Sequence, residues 1–196
     1  MTRGLLLLLL LALATLPAAA QARRSPSVPF GTISLSLAGA VIAERSANLD
    51  PWDASPGAEV RALFPFYAGS VELGASQSSF DSRSDAVPGF RARFVFIGWG
   101  VDAQPVSRLT WRTGARLGVY DLQFDDESLP DYARSENEVA TELVSELGFD
   151  LGRRWSVLGG AGGRVVLTRP RMRQLTLTIG LRRTFDSPEW LRDFLD

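Results

Sequence analysis

The chain contains no cysteine. Disulfides, thiolate metal sites and lipid-modified cysteines are therefore excluded. It contains no histidine either, which removes the commonest general base. Lysine is also absent, so every basic side chain is a guanidinium. Acidic and basic residues nearly cancel, 22 against 21, and are mixed along the chain. A nucleic-acid-binding protein shows a basic face, so no nucleic acid is expected as a partner. Nothing in the composition asks for a cofactor or a metal.

Long apolar runs are also missing after the first residues. The one run, 5–13, follows Arg3 and precedes small residues around 18–22. Those three parts make a secretory signal, and the run is too short for the ~20 residues of a spanning helix. Ala20-Gln21-Ala22 fits a small-x-small cleavage site, with Ala18-Ala19-Ala20 a close rival. The expected organisation is a signal peptide over 1–22, a polar arm over 23–30, one domain over 31–185 and a tail over 186–196.

What fills the domain is alternation. Eight segments repeat apolar and polar residues with a period of two, the mark of half-buried strands. They fall at about 31–44, 58–66, 70–80, 90–102, 108–124, 138–151, 155–168 and 175–185. In the sixth, Val139, Thr141, Leu143, Leu147, Phe149 and Leu151 face one way, and Glu138, Glu142, Glu146 and Asp150 the other. The fourth is ambiguous, because Arg91 and Arg93 share parity with Val95, Ile97, Trp99 and Val101. Either the arginines lie beyond the apolar zone or a bulge switches the face. Connections after segments two, four and six are short. Loops 45–57, 81–89 and 125–137 are long and rich in turn formers.

The sidedness of the pattern predicts a membrane barrel: an all-β, eight-stranded, antiparallel up-and-down transmembrane barrel. The apolar faces add up to a belt, and the opposite faces carry charge. A soluble barrel does the reverse. An arginine facing lipid at mid-bilayer costs about 2–4 kcal/mol, so the charges should face the lumen. The expected lumen network is Glu59, Glu72, Glu138, Glu142, Glu146 and Asp150 against Arg61, Arg112, Arg116, Arg164 and Arg182. An eight-stranded lumen is only wide enough for side chains to fill, so these groups should pair as a plug. Glycines of the fifth and seventh segments are expected to leave room for arginine stems. Aromatic residues Phe64, Phe66, Trp99, Trp111, Phe149, Trp155 and Phe185 gather near the short-turn rim, as at a membrane interface. After Phe185 the period changes. Pro188, Glu189, Trp190, Leu191, Phe194 and Leu195 suit a short amphipathic helix.

With its export signal, eight-stranded meander and last strand ending in Phe185, the chain resembles the small outer-membrane β-barrel proteins of the OmpA/OmpX type over about 31–185. The resemblance implies outer-membrane lipid as surroundings and the outer-membrane assembly machinery as the reader of the last strand. In that family the strand usually ends the chain, whereas here residues 186–196 follow. Small barrel enzymes, the lipid A deacylases and palmitoyltransferases, use a histidine beside a serine, which this chain lacks.

Other motifs are weaker. Gly159-Gly160-Ala161-Gly162-Gly163-Arg164 lacks the Lys-Ser/Thr of a phosphate loop and reads as a closely packed strand. Asp125, Asp126, Glu127 and Asp131 match no calcium-loop spacing. Arg169, Arg171 and Arg173 suit lipopolysaccharide phosphates and equally suit a solvated loop. The expected function is a non-enzymatic outer-membrane barrel with a plugged polar lumen, serving envelope structure or surface contact through its long loops. The alternatives are a soluble lipocalin-like barrel binding an apolar ligand, and a lipid-modifying membrane enzyme.

Overall fold

The computed structural model describes residues 29–67, 69–84, 87–125, 130 and 135–190. The signal peptide and most of the arm and tail helix lie outside these. Among the described residues nine strands follow in order: β1 (Thr32–Arg45), β2 (Trp52–Ala54), β3 (Gly57–Phe66), β4 (Gly69–Ser82), β5 (Phe90–Val106), β6 (Leu109–Phe124), β7 (Ser135–Gly152), β8 (Trp155–Val166) and β9 (Met172–Asp186). All except β2 form an antiparallel ring in chain order, closed by the pairing of β1 with β9. The three-residue β2 lies in the first long loop and pairs only with the far end of β4.

Strand stagger sets the shape of the ring. One row of partners can be followed from Ser34 through Leu63, Glu72, Gly98, Arg116, Glu142, Arg164 and Gln174. It returns to β1 at Arg45, eleven residues beyond its start, with one bulge between Ile42 and Glu44. With a rise of about 3.3 Å and a strand spacing of about 4.8 Å, this stagger tilts the strands by roughly 40°.

Side-chain burial is inverted relative to a soluble barrel. Leu37, Leu143 and Ile179 are 66, 71 and 70% exposed on the outer face, while Glu72 and Arg112 are 0 and 1% exposed inside. The soluble-barrel alternative required the opposite arrangement. In β5 the register runs unbroken from Phe90 to Ala103, so no bulge switches its face. Arg91 and Arg93 are exposed on the outer side at the long-loop end, beyond Val95. Both faces of β5 are apolar: Phe90, Ala92, Phe94 and Phe96 are buried within.

Boundaries moved at a few points. The expected turn over 103–107 is strand as far as Val106, with an irregularity between Ala103 and Val106. β7 begins at Ser135, inside the expected loop. The two-residue turn joining β7 to β8 holds Arg153 at φ 52° and Arg154 at φ 67°. That hairpin geometry favours Asn-Gly, because left-handed backbone is costly for a residue with a Cβ. Arg153→Gly is expected to raise stability by about 1 kcal/mol, measured by equilibrium denaturant unfolding. A loss of stability would show that the turn is unstrained.

Candidate functional site

The lumen has two halves. Toward the short-turn end it is ionic. Among the described residues, ten ion pairs join five arginines (Arg61, Arg112, Arg116, Arg164, Arg182) and five carboxylates (Glu59, Glu72, Asp102, Glu142, Glu146) into one network. Alternating residues of β3, β4, β6, β7 and β8 supply most of it, since successive side chains point to opposite faces. Arg116 is the hub. Its Nε donates to Glu72 at 2.7 Å, and its Nη1 donates to Glu142 at 2.8 Å and Glu59 at 3.0 Å. Arg61 and Arg182 share Glu146. Arg164 donates to Glu142 at 3.1 Å, and Arg112 donates to the Ser70 hydroxyl.

Nine of the eleven expected lumen residues come together here. Glu138 and Asp150 do not. Glu138 is half-buried near the long-loop end and joins no ion pair among the described residues. Asp150 is exposed at the opposite rim, where its carboxylate accepts the Gly152 N–H at 2.7 Å. Both share the parity of Glu142 and Glu146 but sit at other heights. Asp102 was missed because the inward face of β5 was ambiguous. The space at β8 is also differently used. A Cβ on Gly162 would fall 2.8 Å from the Glu142 carboxylate, and one on Gly160 would fall 3.1 Å from the Thr178 hydroxyl. On β6, a Cβ at Gly118 would meet the Val95 carbonyl oxygen at 2.0 Å. These glycines admit a carboxylate and a close strand; the Arg112 guanidinium is accommodated by Gly100 on β5 instead.

Toward the long-loop end the lumen is aromatic. Phe80 and Phe90 stack at 4.4 Å, and Phe94 and Phe96 at 5.0 Å. Leu49, on the short 3-10 turn Ala47–Leu49, inserts from above and is buried. The halves meet where the Arg164 guanidinium lies 4.3 Å from the Phe94 ring centre and that of Arg116 4.5 Å from Phe96. Such contacts favour a cation over a ring face. A cavity of about 20 Å³ remains among Glu59, Arg61, Arg116, Glu142 and Glu146, room for about one water.

The remaining expected residues are on the surface. Phe64, Phe66, Trp99, Trp111, Phe149, Trp155 and Phe185 all lie on the outer face, alternating with the buried positions of their strands. The Trp111 indole donates to Ser145 at 2.9 Å, and Arg183 lies 5.2 Å from Trp155 and 5.0 Å from Phe185. Arg169, Arg171 and Arg173 are exposed in or beside the β8–β9 loop. The glycine-rich run 159–163 is mid-strand rather than loop. Asp126, Glu127 and Asp131 lie outside the described residues, and Asp125 is 3.7 Å from Arg91. Among the described residues no acidic cluster could hold a metal. At the long-loop mouth Arg83 hydrogen-bonds Asp53 and holds its carboxyl below the ordinary value. This latch is complete above the ordinary carboxylate range and is lost as pH falls through the lowered Asp53 value.

No protein-family model and no curated protein sequence matches the chain. Solved structures do. Neisserial surface protein A superposes with a TM-score of 0.61 at 12% identity, over 81% of this chain and 100% of that one. The N-terminal β-barrel domain of Pseudomonas aeruginosa OprF gives 0.54 at 10% identity, over 81% and 100%. The attachment invasion locus protein Ail of Yersinia pestis gives 0.53 at 11%, over 79% and 99%. The chain has the fold of the small outer-membrane β-barrels. In this barrel type strands, not helices, cross the bilayer, and closure leaves no free edge.

Removing Arg116 strips three buried carboxylates of a shared partner. Arg116→Ala is expected to cost about 3–5 kcal/mol, measured by unfolding in detergent micelles. Adding Glu59→Ala should return part of that loss, since Arg61 keeps Glu72 and Glu146. Unchanged stability in Arg116→Ala would remove the hub role.

Proposed function

We propose that this chain resides in the bacterial outer membrane as a non-enzymatic barrel closed to solutes, serving envelope structure or surface contact through its long loops. The observation that carries this reading is the inverted sidedness: an exposed aliphatic belt outside and a charge-balanced ionic network within. Hydrocarbon suits the belt, and pairing offsets the cost of burying the ions. The small residual cavity and the aromatic upper lumen support a plugged barrel. Short turns then face the periplasm and long loops the exterior, as in outer-membrane barrels generally.

On this reading the seven outward aromatics sit at the periplasmic interface, where amphipathic rings settle. Arg169, Arg171 and Arg173 join no ion pair among the described residues, which leaves their guanidinium groups free for lipopolysaccharide phosphates. Strand β9 is the part the assembly machinery would read. Ail is named for attachment and invasion, and one of its structures holds the heparin analogue sucrose octasulfate. By analogy the long loops here are the contact surfaces.

Cell fractionation with heat-dependent gel mobility tests the placement. The protein should appear in the outer-membrane fraction, need detergent for extraction, and migrate differently unheated. Recovery as a detergent-free soluble protein would refute the proposal. Ile179→Arg, at the centre of β9, should lose about 2–4 kcal/mol when folded in lipid. Little change at that site would place the belt in water.

A further inference from the structure

We infer that the outer mouth of the barrel is a binding site for a small neutral molecule with an aromatic or short alkyl body and one hydroxyl-like group. A cavity of about 200 Å³ opens there, floored and walled by Leu49, Trp52, Phe90, Leu122, Phe124 and Met172. An apolar cavity of about 150 Å³ suffices for benzene, so the size suits a single ring. Below, Phe80, Phe94 and Tyr120 are at most 1% exposed. The pocket is therefore blind, and an occupant binds without passing through.

Wall geometry explains why the pocket exists. β7 continues to Ser135 beside β6, but its pairing with β8 stops at Ala140 and Val166. One further bond runs from the Leu167 N–H to the Val139 carbonyl. Beyond it, among the described residues, β7 has no partner on the β8 side, and the pocket lies at that notch.

Polar groups at the rim define the ligand's head. Most are already engaged: the Trp52 indole donates to the Pro88 carbonyl at 2.7 Å, and the Thr168 hydroxyl to the Pro170 carbonyl at 2.7 Å. Glu136 and Arg169 also line the pocket. Neither side chain makes an ion pair or hydrogen bond with another described residue. One acceptor and one donor of opposite charge favour a neutral ligand that offers both, as a hydroxyl does. The lining follows the usual pattern of small-molecule sites, mostly apolar with a few placed polar groups. This inference does not depend on which surface partner the loops meet.

Met172 supplies the test, since the only other methionine is Met1. Protein labelled with methyl-13C methionine and held in lipid nanodiscs is titrated with p-cresol. The Met172 methyl resonance should shift saturably, because a ring seated in the pocket lies against it. Phe124→Asp should weaken binding by about tenfold or more while keeping heat-dependent mobility. Where that variant fails to fold, Arg169→Gln at an exposed position should weaken it several-fold. A shift that rises linearly without saturating marks uptake by the lipid and overturns the site. So does equal binding by the wild type and the folded variants.

Discussion

A closed ring of backbone hydrogen bonds is the constraint from which everything else in this molecule follows. In hydrocarbon an unpaired N–H or C=O costs several kcal/mol, so the sheet cannot end in an edge. Pairing of β1 with β9 removes it. Closure with the observed stagger fixes the strand tilt, and tilt with strand number fixes a narrow lumen that side chains can largely fill. Every second residue of eight strands must then fit a thin cylinder. Large and charged residues there are tolerable only if they pair, stack or face a glycine. The network around Arg116, the rings of Phe94 and Phe96, and the glycines of β5 and β8 are three answers to that crowding.

Much of the architecture was legible in the chain because period two is a strong signal. The sidedness of β1, β3, β4 and β7 followed from alternation alone, and the long-short order of connections followed from turn formers. Parity gives the side of a sheet but not the height along it. Glu138 and Asp150 were therefore placed with Glu142 and Glu146, although they lie toward opposite ends of β7, away from the arginines of the network. β5 hid its inner face because apolar residues occupy both sides, and with it hid Asp102 and the aromatic upper lumen. Leu49 and β2 belong to loop packing, which has no period to read.

The two halves of the lumen have different physical characters and suit different work. Ionic pairs are directional and hold the strands around them in fixed relation. Stacked rings and Leu49 form an ordinary apolar core beneath the long-loop mouth. The first long loop rests on that core through Leu49 and Trp52. Fold similarity to barrels of at most 12% identity establishes the scaffold.

The ionic row also has a consequence for strand alignment. A slip of two residues between β6 and β7 would keep every aliphatic outside, so grease alone cannot detect the error. It would, however, set Arg116 opposite Ala140 or Val144 instead of Glu142, and would break the 2.8 Å ion pair between them. The charges therefore act as a checksum on the register, rejecting misassembled cylinders that the hydrophobic pattern would accept.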